Sequence, residues 1–382
     1  MSVSHAVTVE SSITEMVSPD PDTTAVARLV EMLHQIADPR DVRGIQHVAG
    51  SVLAVMVFAV LAGARNFRQI GDRAADLPQD LLGRAGCLFN TVTGRYVASS
   101  ESTMRRMAHA IDADAADRTV GAWLRATAQA TAQATAQATA QGGEQGRPVP
   151  ELVGIAMDGK VIGNTIAAGG APGTEIKLFS ALLHEEAIVI AQLRIPAGTN
   201  EITQVQALLA ATDLTGTVIT GDAAHAQHAT AAHLAGERGG GYALTVKANQ
   251  TALLDQIIAA LPPAAPGTEH HGEIDTSKGR IVHRTIWTAP AAAVTFPAAA
   301  QVFRIRRDTF SHDGTRLSKE VVHGVTSLDT TTADPVTLAG LIRRHWAIEN
   351  RSHWVRDVVF GEDTQHAYAG TGAHAMATLR IL

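Results

Sequence analysis

The chain has a single cysteine, Cys87, among 382 residues. That excludes an intramolecular disulfide, a thiolate zinc cage and an iron–sulfur cluster, and it fits a reducing compartment. Charged residues are sparse at 18%, against 46% hydrophobic residues, which excludes a disordered, charge-rich tail. An excess of cations is missing too: the net charge is -6. A uniformly basic nucleic-acid coat is therefore excluded, whereas a local basic groove is not, because screening makes fields act locally. Cationic starts and apolar leader runs are absent from the first twenty residues, which mix Glu10, Glu15 and Asp20 with Ser and Thr. This predicts a protein that is not secreted. One uncharged run, VAGSVLAVMVFAVLAGA from Val48 to Ala64, lies at the short end of the spanning range and is diluted by Gly50, Ser51 and alanines. It reads as a buried core helix, so no membrane is expected as a partner. The length suits two or three domains.

Composition shifts divide the chain. Residues 1–24, with Pro19 and Pro21, read as a flexible leader. Residues 25–125 read as a small all-α N-terminal domain: Val26, Leu29, Val30, Leu33 and Ile36 recur at helical spacing, and further helices are expected around 45–63, 66–76 and 102–112. Ser100 or Ser102 offers an N-cap to the last of these, whose Arg105 and Arg106 make it a candidate DNA-contacting helix. Residues 126–150 hold four ATAQ repeats, expected to continue the preceding helix until Gly142 and Gly143, and then a Gly/Pro linker.

From 151 to 382 the texture becomes α/β. LVGIAMD, IKLFSALL and EAIVIAQLRI read as three successive strands. Helix EITQVQALLAAT, strand GTVITGD, helix AHAQHATAAHLAGE, strand GGYALTV and helix NQTALLDQIIAAL follow. Three strands followed by strand and helix in alternation is the order of an RNase H-like core. GRIVHRTIWT, AQVFRIRR and KEVVHGVTSL then form a β-rich insertion at about 262–328, before a helix expected from Val336 to Val358.

Three acids stand where a two-metal site needs them. Asp158 ends the first strand, Asp222 ends TVITGD, and Glu349 lies within RRHWAIENRSHW. Two divalent cations that stabilise the attacking and leaving oxygens of a phosphodiester need converging carboxylates, and strand-end aspartates faced by a helix glutamate supply them. Any one of these acids could equally be a turn residue or a cap. With 3.6 residues per turn, Glu349 would share a helix face with His345, Ser352 and Arg356, while Trp346 and Trp354 read as core. Four arginines, Arg343, Arg344, Arg351 and Arg356, make that helix a local cationic element. With His345, Lys160, Lys247 and the strand carrying Arg304, Arg306 and Arg307, they are the candidate contacts to DNA phosphate. His225 and His228, three apart, raise zinc as an alternative, although magnesium prefers oxygen ligands.

The motifs together resemble the ISAs-one family of bacterial insertion-sequence transposases. They are DPRDVRGIQH, LAGARNFRQIGDRAADLP and SESTMRRMAHAIDADAADRTVGAWL, then MDGK, TNEI, VITGDAAHAQHA and VKANQ, and last RRHWAIENRSHWVRDVVFGEDTQHA. The resemblance implies a DDE-class transposase with an RNase H-like core and a triad at Asp158, Asp222 and Glu349. It further implies a two-metal centre taking Mg2+ or Mn2+, and cleavage and strand transfer at element ends. The partners would be double-stranded DNA, meaning terminal inverted repeats and target, and a second copy of the chain, acting at the cytoplasmic nucleoid. The sequence departs from the family's pattern in VIGNT after MDGK, Gly221 in place of the usual alanine, and His345 at an arginine position. These departures motivate the alternative of a catalytically inactive or co-opted DNA-binding protein.

Overall fold

The computed structural model describes residues 23–43, 45–141, 152–163, 175–261, 269–277, 279–364 and 370–382. The expected leader, apart from its last two residues, and the Gly/Pro linker lie outside these residues.

The N-terminal helices are α1 (Thr23–Leu33), α2 (Ala49–Leu61), α3 (Phe67–Asp76), α4 (Gln79–Arg84), α5 (Glu101–Ala110) and α6 (Ala113–Gln141). Helix α2 is the uncharged run. Residues Ala49 to Val60 are all buried, so it is the central core helix, and among the described residues no helix is long and apolar enough to cross a membrane. Ser100 caps α5 by accepting from the Thr103 amide. The ATAQ repeats do extend α6, as alanine and glutamine favour.

This part is not all-α. A small hairpin, β1 (Leu88–Asn90) with β2 (Arg95–Val97), interrupts it, turning at Gly94, whose φ of +66° suits glycine. Nor does it close on itself. The C-terminal helix α11 (Gly372–Arg380) supplies Ala375, Met376 and Leu379 to the same core as Leu33, Met56 and Met104.

One nine-stranded sheet forms the remainder, in the order β5-β4-β3-β6-β7-β11-β10-β9-β8. Strands β3 (Val153–Val161), β4 (Lys177–Leu183) and β5 (Val189–Arg194) form an antiparallel meander. Strands β6 (Thr217–Gly221) and β7 (Gly241–Val246) lie parallel to β3. The inner strands are near-continuous apolar runs because both faces are covered. Helices α7 (Val205–Leu209), α8 (His228–Ala231) and α9 (Thr251–Ala260) connect them.

The β-rich stretch is β8 (Glu269–Ser277), β9 (Arg280–Pro290), β10 (Gln301–Ser311) and β11 (Arg316–Thr326). It extends this same sheet, because β11 pairs antiparallel with β7, from His323 opposite Val246 to Thr326 opposite Ala243. Gly324 sits at that seam, where a Cβ would meet the Phe303 ring at 2.0 Å and the Leu244 carbonyl oxygen at 2.5 Å.

Helix α10 runs only from Pro335 to His345, with Asp334 as N-cap. The chain then winds as π-helix over Ile348–His353 and Val355–Val359. The wider turn shifts the phase of every side chain beyond Ala347 away from the 3.6-residue expectation.

Candidate active site

Strands β3 and β6 pair in parallel with Ala156 opposite Thr220. Continued two residues further, that register brings Asp158 level with Asp222, in phase with Ala156 and Thr220 because side chains two positions apart along a strand share a face. Asp222 directly follows β6, whereas β3 runs on to Val161, so Asp158 lies within its strand and not at the end expected from the sequence. Asp222 caps the short 3-10 turn Ala223–His225, accepting from the Ala224 amide at 2.9 Å. Asp158 accepts from the Gly159 amide at 2.9 Å. Glu349, on the π-helical segment, reaches Asp158. The two carboxyls and an imidazole nitrogen of His353 lie within 4.8 Å of one another, and His353 Nδ1 stands 3.5 Å from both Asp158 Oδ2 and Glu349 Oε2.

The electrostatics are those of crowded like charges. Burial, a hydrogen bond to Glu349 and the charge of Glu349 push the Asp158 carboxyl well above the usual carboxylate range, with Glu201 adding to the shift. Glu201 is itself raised, by burial and by Asp222. The histidines around the acids move the opposite way. Burial holds His345 and His353 down to about 4 and His184 down to about 3, so all three are neutral at physiological pH. His184 Nε2 and His345 Nδ1 both bond the Thr220 hydroxyl, at 2.9 and 3.0 Å. This chain lies directly beneath the strand end that carries Asp222.

Residues 152–382 match the family described as Transposase DDE domain, and residues 30–124 match the domain described as associated with it. The first match covers more than half of the chain. The protein belongs to the DDE transposase domain family. It is 25% identical to "Putative transposase YncI" of Escherichia coli O157:H7, over 93% of this chain and 86% of that one. It is 24% identical to "H repeat-associated putative transposase YhhI" of E. coli K12, over 92% of this chain and 88% of that protein.

Within this DDE domain the expected cations fall into two groups. Lys247, Arg343, Arg344, His345 and Arg351 line one groove of about 1260 Å³ that runs from Asp222 along α10 and the outer strands. Several of them hold acids: Arg343 bonds Glu273 and Asp275 at 2.8 and 3.0 Å, and Arg344 pairs with Glu185 at 2.9 Å. Arg307 pairs with Glu320 and lies 4.8 Å over the ring of Trp346. Trp346 and Trp354, expected in the core, are 49% and 54% exposed.

The second group is turned inward, and two expectations of phosphate contact are thereby corrected. Arg356 is 1% exposed; its Nε donates to Glu362 Oε2 at 2.9 Å, and Nη1 donates to Gln192 Oε1 at 3.3 Å. The π-helical phase rotates it off the face of Glu349 and brings His353 there instead. Lys160 is 8% exposed and is held by Asp357. In the outer strands, Arg304 donates to the Leu261 carbonyl and stacks on Trp287, and Arg306 binds Asp308. Arg105, paired with Glu101, and Arg106 are exposed on α5, as expected.

Among the described residues, no group that could hold a metal joins His225 to His228, the pair on which the zinc alternative rests. His225 stands with Glu201 and Asp222, whereas the ring of His228 sits edge-on against Phe296 at 5.0 Å. A further cluster, Asp114, Asp117 and His374, is internally satisfied. Asp117 accepts from Thr378 and Gln192 and pairs with His374 at 2.6 Å.

Proposed function

We propose that the protein is an insertion-sequence transposase of the ISAs-one kind with an RNase H-like core, which cleaves DNA at element ends and transfers the freed strand to target DNA. The observation that supports this reading is the β3–β6 register, which brings Asp158 level with Asp222, together with the approach of Glu349, far off in sequence, to Asp158.

The donor set fits hard divalent cations. Carboxylate oxygens predominate, as Mg2+ and Mn2+ require, and the upward shift of Asp158, caused by burial and by Glu349 beside it, is one that a cation relieves. Cations held by Asp158, Asp222 and Glu349 would supply charge neutralisation at the scissile phosphate and a more acidic water. The chain itself does the positioning. The β3–β6 register fixes two carboxylates, the π turns present the third, and the Thr220–His184–His345 chain braces the strand end without adding charge. DNA would lie in the groove lined by Lys247, Arg343, Arg344 and Arg351, with Arg105 and Arg106 meeting element-end sequence from the N-terminal helices. Two element ends call for a homodimer or larger assembly, acting at the nucleoid.

The test is cleavage of an element-end duplex in Mg2+ or Mn2+. Asp222→Asn is expected to reduce cleavage to background while gel retardation of the same duplex persists. Cleavage at the wild-type rate would remove Asp222 from the site. Retardation by the wild type with no nicking in either cation would favour a silent DNA-binding protein.

A further inference from the structure

The triad leaves two neighbouring groups unexplained. The first is Glu201, in the TNEI motif. Asn200 caps the 3-10 turn Glu201–Gln204, and from that turn the Glu201 carboxylate folds back over β3. It lies so close to Gly159, next to Asp158, that a Cβ on that glycine would meet Glu201 Oε2 at 2.1 Å. One of its oxygens lies within 4.8 Å of an Asp222 carboxylate oxygen, and its charge adds to the upward shift of Asp158.

The second group is His225, which is 0% exposed. Neither of its ring nitrogens has a hydrogen-bond partner among the described residues. Its ring stacks on Phe179 at a centroid distance of 5.3 Å, a contact that satisfies neither nitrogen. An unpaired buried nitrogen costs about 1–3 kcal/mol, so a core role alone accounts poorly for a histidine here. One of its nitrogens lies within 4.8 Å of carboxylate oxygens of both Glu201 and Asp222.

Together these place two carboxylates and an orphaned imidazole around one point, beside the Asp158–Glu349 pair. We infer that Glu201 is a fourth carboxylate of the metal centre and that Glu201, Asp222 and His225 form one cation's ligand set, two oxygens and a nitrogen. The imidazole favours Mn2+ over Mg2+, because nitrogen ligands suit transition metals better than they suit magnesium. Gly159 is then required for the space it leaves rather than for its backbone. This inference rests on the reading of the centre as a metal site.

The experiment is Mn2+ titration of the full chain by calorimetry, with electron-spin-echo detection of nitrogen coupling on the bound Mn2+. Glu201→Gln is expected to weaken Mn2+ binding by about tenfold or more, in line with the loss of a ligand or its partner. Gly159→Ala, which displaces the Glu201 carboxylate by a methyl group without touching a ligand, is expected to do the same. Nitrogen coupling should be present in the wild type and lost or diminished in His225→Phe, which keeps the stack on Phe179. Asp222→Asn is the reference variant. If it loses Mn2+ while Glu201→Gln and Gly159→Ala, with unchanged circular dichroism, bind as the wild type does, the Glu201 assignment is overturned and the triad stands. If Asp222→Asn also binds as the wild type does, the metal-site reading itself fails.

Discussion

Replacing Glu362 by Gln should destabilise the protein more than any single change at the exposed arginines. One carboxylate, 1% exposed at its side chain, is shared by two guanidinium groups that are nearly as buried. Arg356 meets Oε2 through Nε at 2.9 Å and Nη2 at 2.7 Å, and Arg380 meets Oε1 through Nη1 at 2.9 Å. Gln keeps the volume and one acceptor oxygen but removes the charge, leaving two cations buried without a counter-ion. Removing one partner of a buried pair costs about 3–5 kcal/mol, a large share of the roughly 5–15 kcal/mol that holds a typical domain. Equilibrium urea unfolding followed by circular dichroism measures it. Burial raises the Glu362 pKa, but Arg356 and Arg380 outweigh burial and leave it below its ordinary value of 4.5. The sign follows: the stabilisation is fully present above the unfolded-state value and is lost as pH falls through the folded one. The wild type should therefore lose stability on acidification below about pH 4.5 more steeply than Glu362→Gln does. Adding Arg356→Met to Glu362→Gln removes one orphaned cation and should recover part of the loss. A loss below about 1 kcal/mol in the single variant would refute the reasoning, because that is the range of an exposed pair.

Arg351→Ala should weaken binding to all duplexes alike and lower the salt slope of log K by about one, whereas Arg356→Ala should leave the slope unchanged and lower the unfolding midpoint; the reverse pattern would place Arg356 at the DNA. Gly324→Ala should cost about 3 kcal/mol in urea unfolding, because the clash includes the Leu244 carbonyl oxygen at 2.5 Å, which cannot rotate away; a neutral result would show that the β7–β11 seam yields. Substituting Arg105 and Arg106 by Ala should change the ratio of affinities for element-end and random duplexes, read by competition gel shift, and an unchanged ratio would move sequence recognition off α5.

The strands beside the aspartates were legible as apolar runs leading into an acid, although β3 continues past Asp158 to Val161, and the order of three strands followed by alternation matched β3 to β7. Glu349 was legible as a residue but not as a geometry. A 3.6-residue period predicts Arg356 beside it, and nothing in IENRSHWVRD announces that the backbone will wind in π turns. Glu201 was quoted within TNEI yet read as a helix start, since Asn followed by Glu is also how a helix is capped. The usable signal was the glycine directly after Asp158, which leaves room for a carboxylate. Strand β8 was missed because EHHGEIDTS lacks an apolar face; it is the sheet's edge, where both faces meet water and alternation fades. The hairpin β1–β2 was missed because three-residue strands are too short to show a period.

The two matched regions, residues 30–124 and 152–382, are mechanically one object at the site. Asp117 on α6 accepts from Gln192 on β5, and Gln192 in turn accepts from Arg356 on the segment that follows Glu349. Glu362 joins Arg356 to Arg380 on α11, and Arg380 donates to the Arg65 carbonyl at the start of the N-terminal helices. Every side chain named in this chain of bonds is buried, so each link is strengthened by low dielectric and each is costly to break. Such a network ties the N-terminal helices to the sheet through buried groups. A helical unit that only delivered DNA would need a surface joint, whereas this one is bonded through to the segment that carries the third carboxylate. If α5 engages DNA as proposed, that contact would be coupled to the segment carrying Glu349 through the same buried charges.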